Sequence, residues 1–96
     1  MQFIYKERYL KRFDRFHQQE QRLILDTDRH IQAYYTNRQA PFGLRIKHLH
    51  TKGSEKIFEA RVSRAIRIVW AERGDLVSFL LVGLHNEVQQ YLRSLR

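Results

Sequence analysis

The hydrophobic period of this chain changes once, and that change limits the folds open to it. Up to Thr36, apolar residues recur at helical spacing; from Leu44 onward they alternate with polar ones. A period of 3.6 buries one stripe of a helix, and a period of two buries one face of a strand. Helices gathered ahead of strands point to an α+β domain, with a helical hairpin packed on a small, mainly antiparallel β-sheet. Gln2–Tyr5 reads as a short opening strand. Leu10, Phe13 and Phe16 mark a first helix from Lys6. Leu23, Ile24, Ile31, Tyr34 and Tyr35 mark a second over Gln18–Thr36, after a break at His17. NRQAPFG, Asn37 to Gly43, reads as the exit loop. Leu44–Leu49, Lys56–Ser63, Ala65–Glu72 and Leu76–Gly83 are strand candidates, with HTKGSE as a loop and ERGD as a tight turn. Val88, Tyr91, Leu92 and Leu95 space a short closing helix over His85–Leu95.

At 96 residues the chain is expected to form one domain, 1–96, with one core. It has no cysteine, which excludes disulfides and thiolate metal sites and fits a reducing compartment. No apolar run approaches the roughly 18 residues of a membrane span. Charges break the opening MQFIYKERYLKRF too early for a signal peptide, so the expected location is the cytoplasm. The formal charge is +8. Residues 1–40 carry eight Lys/Arg against five acids, and residues 41–96 carry ten against five, so the excess belongs to the folded body and not to a tail. Such a balance favours an anionic partner.

Alternation sharpens that expectation. In FEARV, Phe58, Ala60 and Val62 share one face, and Glu59 and Arg61 share the other. In AIRIVW, Ile66, Ile68 and Trp70 take the core side, while Arg67 points away. A hairpin therefore puts Arg61, Arg67 and Glu59 together on the open face of the sheet.

These segments resemble toxins of the RelE/ParE superfamily from bacterial toxin–antitoxin modules, and the RelE-like branch is the better match. GLRIKHLH resembles the second strand of that fold. IFEARVSRAIRIVWAERGDLV resembles its central hairpin, an E-x-R-V strand turning into Y-R-[ILV]-[IV]-[YW]. VSFLLVGLHNEVQQYL resembles its last strand, valine–glycine ending and terminal helix. Three departures stand out: Glu59 occupies the position of a catalytic lysine, His85 that of a final arginine, and Ile66 that of a common tyrosine.

The resemblance implies a cytoplasmic toxin that cuts messenger RNA on the ribosome without a metal or other cofactor. It also implies a cognate antitoxin protein in a hetero-oligomer, and no membrane partner. The ParE branch implies an alternative, inhibition of DNA gyrase without nuclease activity, and some relatives of the fold are inactive. Function therefore has to be argued from the site.

Metal-free RNA cleavage needs a base for the 2′-hydroxyl, an acid for the departing 5′-oxygen, and cations for the phosphorane between them. Arg61 and Arg67 suit the cationic role, because guanidinium stays charged and grips phosphate through paired donors. His85 is the expected acid/base, since imidazole titrates near neutrality. Tyr91, matching a tyrosine that contacts substrate in RelE, is the expected second proton-transfer group. Glu59 is a candidate base, although pairing with Arg61 or Arg67 would lower its basicity and is the preferred reading. Lys47 and Arg64 are candidate phosphate contacts, and Lys11, Arg12 and Arg15 are helix cations that could meet ribosomal RNA. His48 and His50, at i, i+2, could face one side of a strand, but two histidines without a third ligand are not a metal site. Tyr34 and Tyr35 read as core aromatics.

Overall fold

The computed structural model describes residues 1–37 and 44–95. The exit loop expected over Asn37–Gly43 lies, beyond Asn37, outside the described residues. The elements are β1 (Gln2–Tyr5), α1 (Glu7–Asp14), α2 (Gln18–Asn37), β2 (Lys47–Lys52), β3 (Glu55–Arg61), β4 (Ile66–Arg73), β5 (Leu76–Leu84) and α3 (His85–Ser94). The five strands form one sheet in the order β1-β5-β4-β3-β2. All neighbours are antiparallel except β1, which runs parallel to β5 and pairs Phe3 with Val77.

One sheet face carries the main core. Tyr9 and Phe16 from the α1 segment and Ile24, Ile31 and Tyr35 from α2 pack on Ala60, Ile66, Ile68, Trp70, Val77, Phe79 and Val82. The Trp70 indole, fully buried, donates to the Tyr35 hydroxyl at 2.7 Å, so its polar handle is satisfied. The apolar stripe of α1 is Tyr9, Phe13 and Phe16; Leu10, expected on it, is 48% exposed. The 4,3 spacing of the three aromatics follows one helix face more closely than the stripe begun at Leu10. Leu23 of α2 is likewise on the outer side, while Ile24, Ile31 and Tyr35 are buried.

The opposite face is not left wholly open. Ile57, Val69, Ala71 and Leu81 form a second core with Val88 of α3, flanked by Leu49, Tyr91, Leu92 and Leu95. Val88 is fully buried and contributes roughly 1.5–3 kcal/mol to holding α3 down. The charged residues expected on that face thus keep only the part that α3 does not cover.

The strand after the exit loop sits further along than Leu44–Leu49. Arg45 has φ +50, a left-handed conformation outside any ladder, and pairing begins at Lys47. The ladder runs to Lys52 opposite Glu55, so the expected loop HTKGSE is mostly strand around a two-residue Gly53–Ser54 turn. Gly53 holds φ +60, where an L side chain would cost about 1–2 kcal/mol. A bulge between His48 and His50 aligns His48 with Phe58 and His50 with Ile57. Phe58 and Ile57 belong to opposite faces. The two histidines therefore do not share a side, and the bulge is the reason.

Candidate active site

Where α3 leaves the second face uncovered, a cleft of about 320 Å³ opens. Arg45, Lys47, Leu49, Glu59, Arg61 and Arg67 line it from the sheet, and His85 and Gln89 line it from α3. Its geometry follows from register. Arg61 and Arg67 are Cα partners across β3 and β4, as are Lys47 and Glu59 across β2 and β3. Cross-strand partners project to the same side. His85 opens α3 immediately after β5, and Gln89, one turn on, shares its helix face. The described lining carries four cations, Arg45, Lys47, Arg61 and Arg67, against the single carboxylate of Glu59.

The two central arginines are held differently. One guanidinium nitrogen of Arg67, Nη1, donates to the carbonyls of Ser63, Arg64 and Ile66 at 2.7, 3.0 and 3.2 Å. Its Nε lies 3.5 Å from Glu59 Oε2, with both side chains mostly buried. Arg67 therefore closes the β3–β4 turn and is fixed in orientation, and Glu59 sits in pairing geometry with it. Arg61 forms no ion pair among the described residues. Its pKa is pushed down by Arg45 first, then by desolvation and by the neighbouring Arg67 and Arg64. A cation without an ion-pair partner, pushed on by other cations, is an open seat for an anion. Arg64 itself is exposed in the β3–β4 turn beside this cluster.

Not every expected site residue reaches the cleft. Tyr91 is absent from its described lining: six residues beyond His85 is 600° of helix, which turns it to another side of α3. It packs into the second core, with the Arg8 guanidinium 5.3 Å above its ring, and burial raises its pKa. Lys11, Arg12 and Arg15 line a separate cleft of about 420 Å³ between α1 and α3, with Glu7, Arg8, Leu81 and Glu87. Within it Lys11 pairs with Glu7 at 3.0 Å, and Arg12 is committed to Glu87 by two hydrogen bonds. His48 instead lies against Phe58 with the rings tilted by 39°, and bonds within its own strand, to Thr51 at 2.7 Å and the His50 carbonyl at 3.1 Å.

Two cleft residues were missed by sequence reasoning. Arg45 falls inside the strand candidate Leu44–Leu49; the signal that marks it is its i, i+2 relation to Lys47, which repeats the Glu59–Arg61 spacing on the neighbouring strand. Gln89 carried only the i+4 relation to His85.

No protein-family model and no curated protein sequence matches the chain. Solved structures do match. An archaeal RelE–RelB complex from Pyrococcus horikoshii OT3 aligns at TM-score 0.68 with 12% identity, covering 86% of this chain and 92% of that chain. The YoeB dimer from Staphylococcus aureus aligns at 0.66 with 9% identity, covering 88% and 97%. The E. coli DinJ–YafQ toxin–antitoxin complex aligns at 0.63 with 14% identity, covering 90% and 93%. At these identities the likeness is one of fold: the chain shares the α+β architecture of RelE, YoeB and YafQ toxins of toxin–antitoxin modules.

Proposed function

We propose that this chain is the toxin of a toxin–antitoxin module and a metal-independent endoribonuclease that cuts messenger RNA on the ribosome. The observation that carries this reading is the cross-strand pair Arg61–Arg67 lining one cleft with His85. The fold that the chain shares with RelE, YoeB and YafQ toxins supports the reading.

The reaction follows from the residues. RNA lays a phosphodiester in the cleft, and Arg61, lacking an ion-pair partner among the described residues, takes non-bridging oxygens. Arg67, held by three carbonyls and Glu59, presents its remaining donors without having to reorganise, which is the condition for strong electrostatic stabilisation. The ribose 2′-oxygen loses its proton and attacks phosphorus. The bond to the 5′-oxygen breaks, and that oxygen gains a proton. The products are a 2′,3′-cyclic phosphate and a 5′-hydroxyl. His85 moves a proton at one of these two oxygens, and solvent water exchanges the proton at the other. Glu59 serves chiefly to orient Arg67, because a carboxylate beside a guanidinium is a weakened base. Lys47, Arg45 and Arg64 hold flanking phosphates. Tyr91 has no place in this scheme, since its ring belongs to the second core.

The partners in this reading are the translating ribosome with its mRNA and a cognate antitoxin in a toxin–antitoxin hetero-oligomer, in the cytoplasm. The antitoxin lays an acidic segment over the cationic cleft or displaces α3. Induced expression tests the reading. Protein synthesis should stop, and primer extension on mRNA from translating ribosomes should show new 5′ ends that His85→Ala abolishes. Arrest with DNA damage and filamentation, and with intact mRNA, would instead identify a gyrase inhibitor and overturn the nuclease assignment.

A further inference from the structure

The first turn of α3 hangs on one carboxylate. Leu84 precedes the helix and has no side-chain acceptor, so only the reverse half of a capping box can form. Glu87 supplies it, accepting the Leu84 backbone N–H on Oε1 at 3.0 Å. The same oxygen accepts from Arg12 Nη2 at 2.7 Å, and Oε2 accepts from Arg12 Nε at 2.9 Å. Arg12 comes from α1, and its guanidinium carbon lies 4.2 Å from the centre of the Phe16 ring. On the remaining side lies Gly83, where a Cβ would stand 3.1 Å from Glu87 Cδ and 3.2 Å from Oε2. A side chain at Gly83 would press on Glu87, which would have to give by a few tenths of an ångström. Three contacts, from α1 and from the end of β5, thus converge on the residue two positions after His85.

His85 has no such support of its own. It is exposed, and among the described residues its ring makes no hydrogen bond or ion pair. The place of its imidazole is therefore set by the backbone of the helix start. From this we infer that Arg12 and Glu87 are positioning residues for His85: a bidentate ion pair from α1 fixes the first turn of α3, and with it the imidazole relative to Arg61 and Arg67. The inference rests on the reading of His85 as the proton-transfer group. It removes Arg12 from the set of free RNA contacts, because its donors are spent on Glu87. A displacement near 1 Å at a reacting group can lower a rate about 100-fold, so holding this turn matters out of proportion to its stability.

The test uses the full chain, with Glu87→Ala, Glu87→Gln, Arg12→Ala and Arg12→Lys. Three readouts are taken: amide hydrogen exchange at residues 84–88, the change in the His85 imidazole titration on adding inorganic phosphate, and cleavage on programmed ribosomes. Glu87→Ala and Arg12→Ala should speed exchange at Leu84, whose N–H Glu87 accepts, about tenfold, the size expected for a lost cap. They should shrink the phosphate-induced change at His85. They should also lower the maximal cleavage rate about 10- to 100-fold, with half-saturation little altered, since Arg61 and Arg67 are untouched. Glu87→Gln keeps the acceptor for Leu84, and Arg12→Lys keeps the charge, so each should recover part of all three. Wild-type exchange at Leu84 together with an unchanged phosphate response in the alanine variants would overturn the inference. If Glu87→Ala does not fold, the two conservative variants decide it on the same readouts. A wild-type chain that cuts no RNA would sink the nuclease reading, while exchange and titration would still decide the positioning role.

Discussion

At the scale of single residues, two arginines that look equivalent in sequence have separate tasks. Arg67 ties three carbonyls of the β3–β4 turn and pairs with Glu59, whereas Arg61 is surrounded by Arg45, Arg67 and Arg64. Arg61→Ala should therefore cut RNA cleavage about 10²–10³-fold while leaving the melting temperature unchanged or slightly raised, because it removes repulsion. Arg67→Ala should lower both activity and melting temperature, because it strands carbonyls and a mostly buried carboxylate. Thermal melts run beside primer extension separate the two; equal melting behaviour would contradict the division of tasks. In the main core, Tyr35→Phe leaves the Trp70 N–H without its acceptor and should cost about 1–3 kcal/mol in denaturant titration. The alternation that put Arg61 beside Arg67 could be read from FEARV and AIRIVW. Which of the two would be immobilised could not, because the carbonyls that hold Arg67 belong to a turn whose path no periodicity describes.

At the scale of elements, α3 is the part most dependent on few contacts. Val88 is its fully buried anchor, and Val88→Ala should cost about 2 kcal/mol or more, with the loss concentrated in exchange protection of residues 85–94. The latch to α1 adds a pH dependence. The hydrogen bond from Arg12 holds the Glu87 carboxyl below the ordinary glutamate range, helped by the Leu84 N–H and opposed by partial burial. A folded pKa below the unfolded one stabilises the fold fully above the unfolded value, about 4.3, and the contribution disappears as pH falls through the lower folded value. Stability should therefore drop on acidification below about pH 4, and Glu87→Gln should flatten that limb of the curve relative to wild type. Identical acid limbs in denaturant melts would exclude the linkage. The sequence announced this element through Val88, Tyr91, Leu92 and Leu95, but not its destination. A helix stripe shows that something is buried, and Ile57, Val69 and Leu81 become the partner only once the sheet exists.

At the scale of the whole molecule, part of the cationic excess gathers in two clefts on either side of α3. The α1 cleft is partly neutralised by Glu7 and Glu87, while the sheet cleft has one carboxylate, already engaged with Arg67. Single-stranded RNA binding should weaken steeply with salt, and Arg45→Gln should reduce the slope of log K against log salt by about 0.7, one phosphate contact. An unchanged slope would remove Arg45 from the interface. What the residues alone determined was local: helices before strands, the turn at Gly74, and the pairing of Arg61 with Arg67 on one face. These follow from side-chain period and turn chemistry, which act between neighbours in the chain. Everything that required distant segments to meet was decided by the fold: the left-handed Arg45 at the cleft rim, the bulge that parts His48 from His50, Tyr91 turned into a second core, and Arg12 bound to a carboxylate 75 positions away. Such contacts depend on where packed elements stop and how they cross, and a one-dimensional pattern does not encode those quantities.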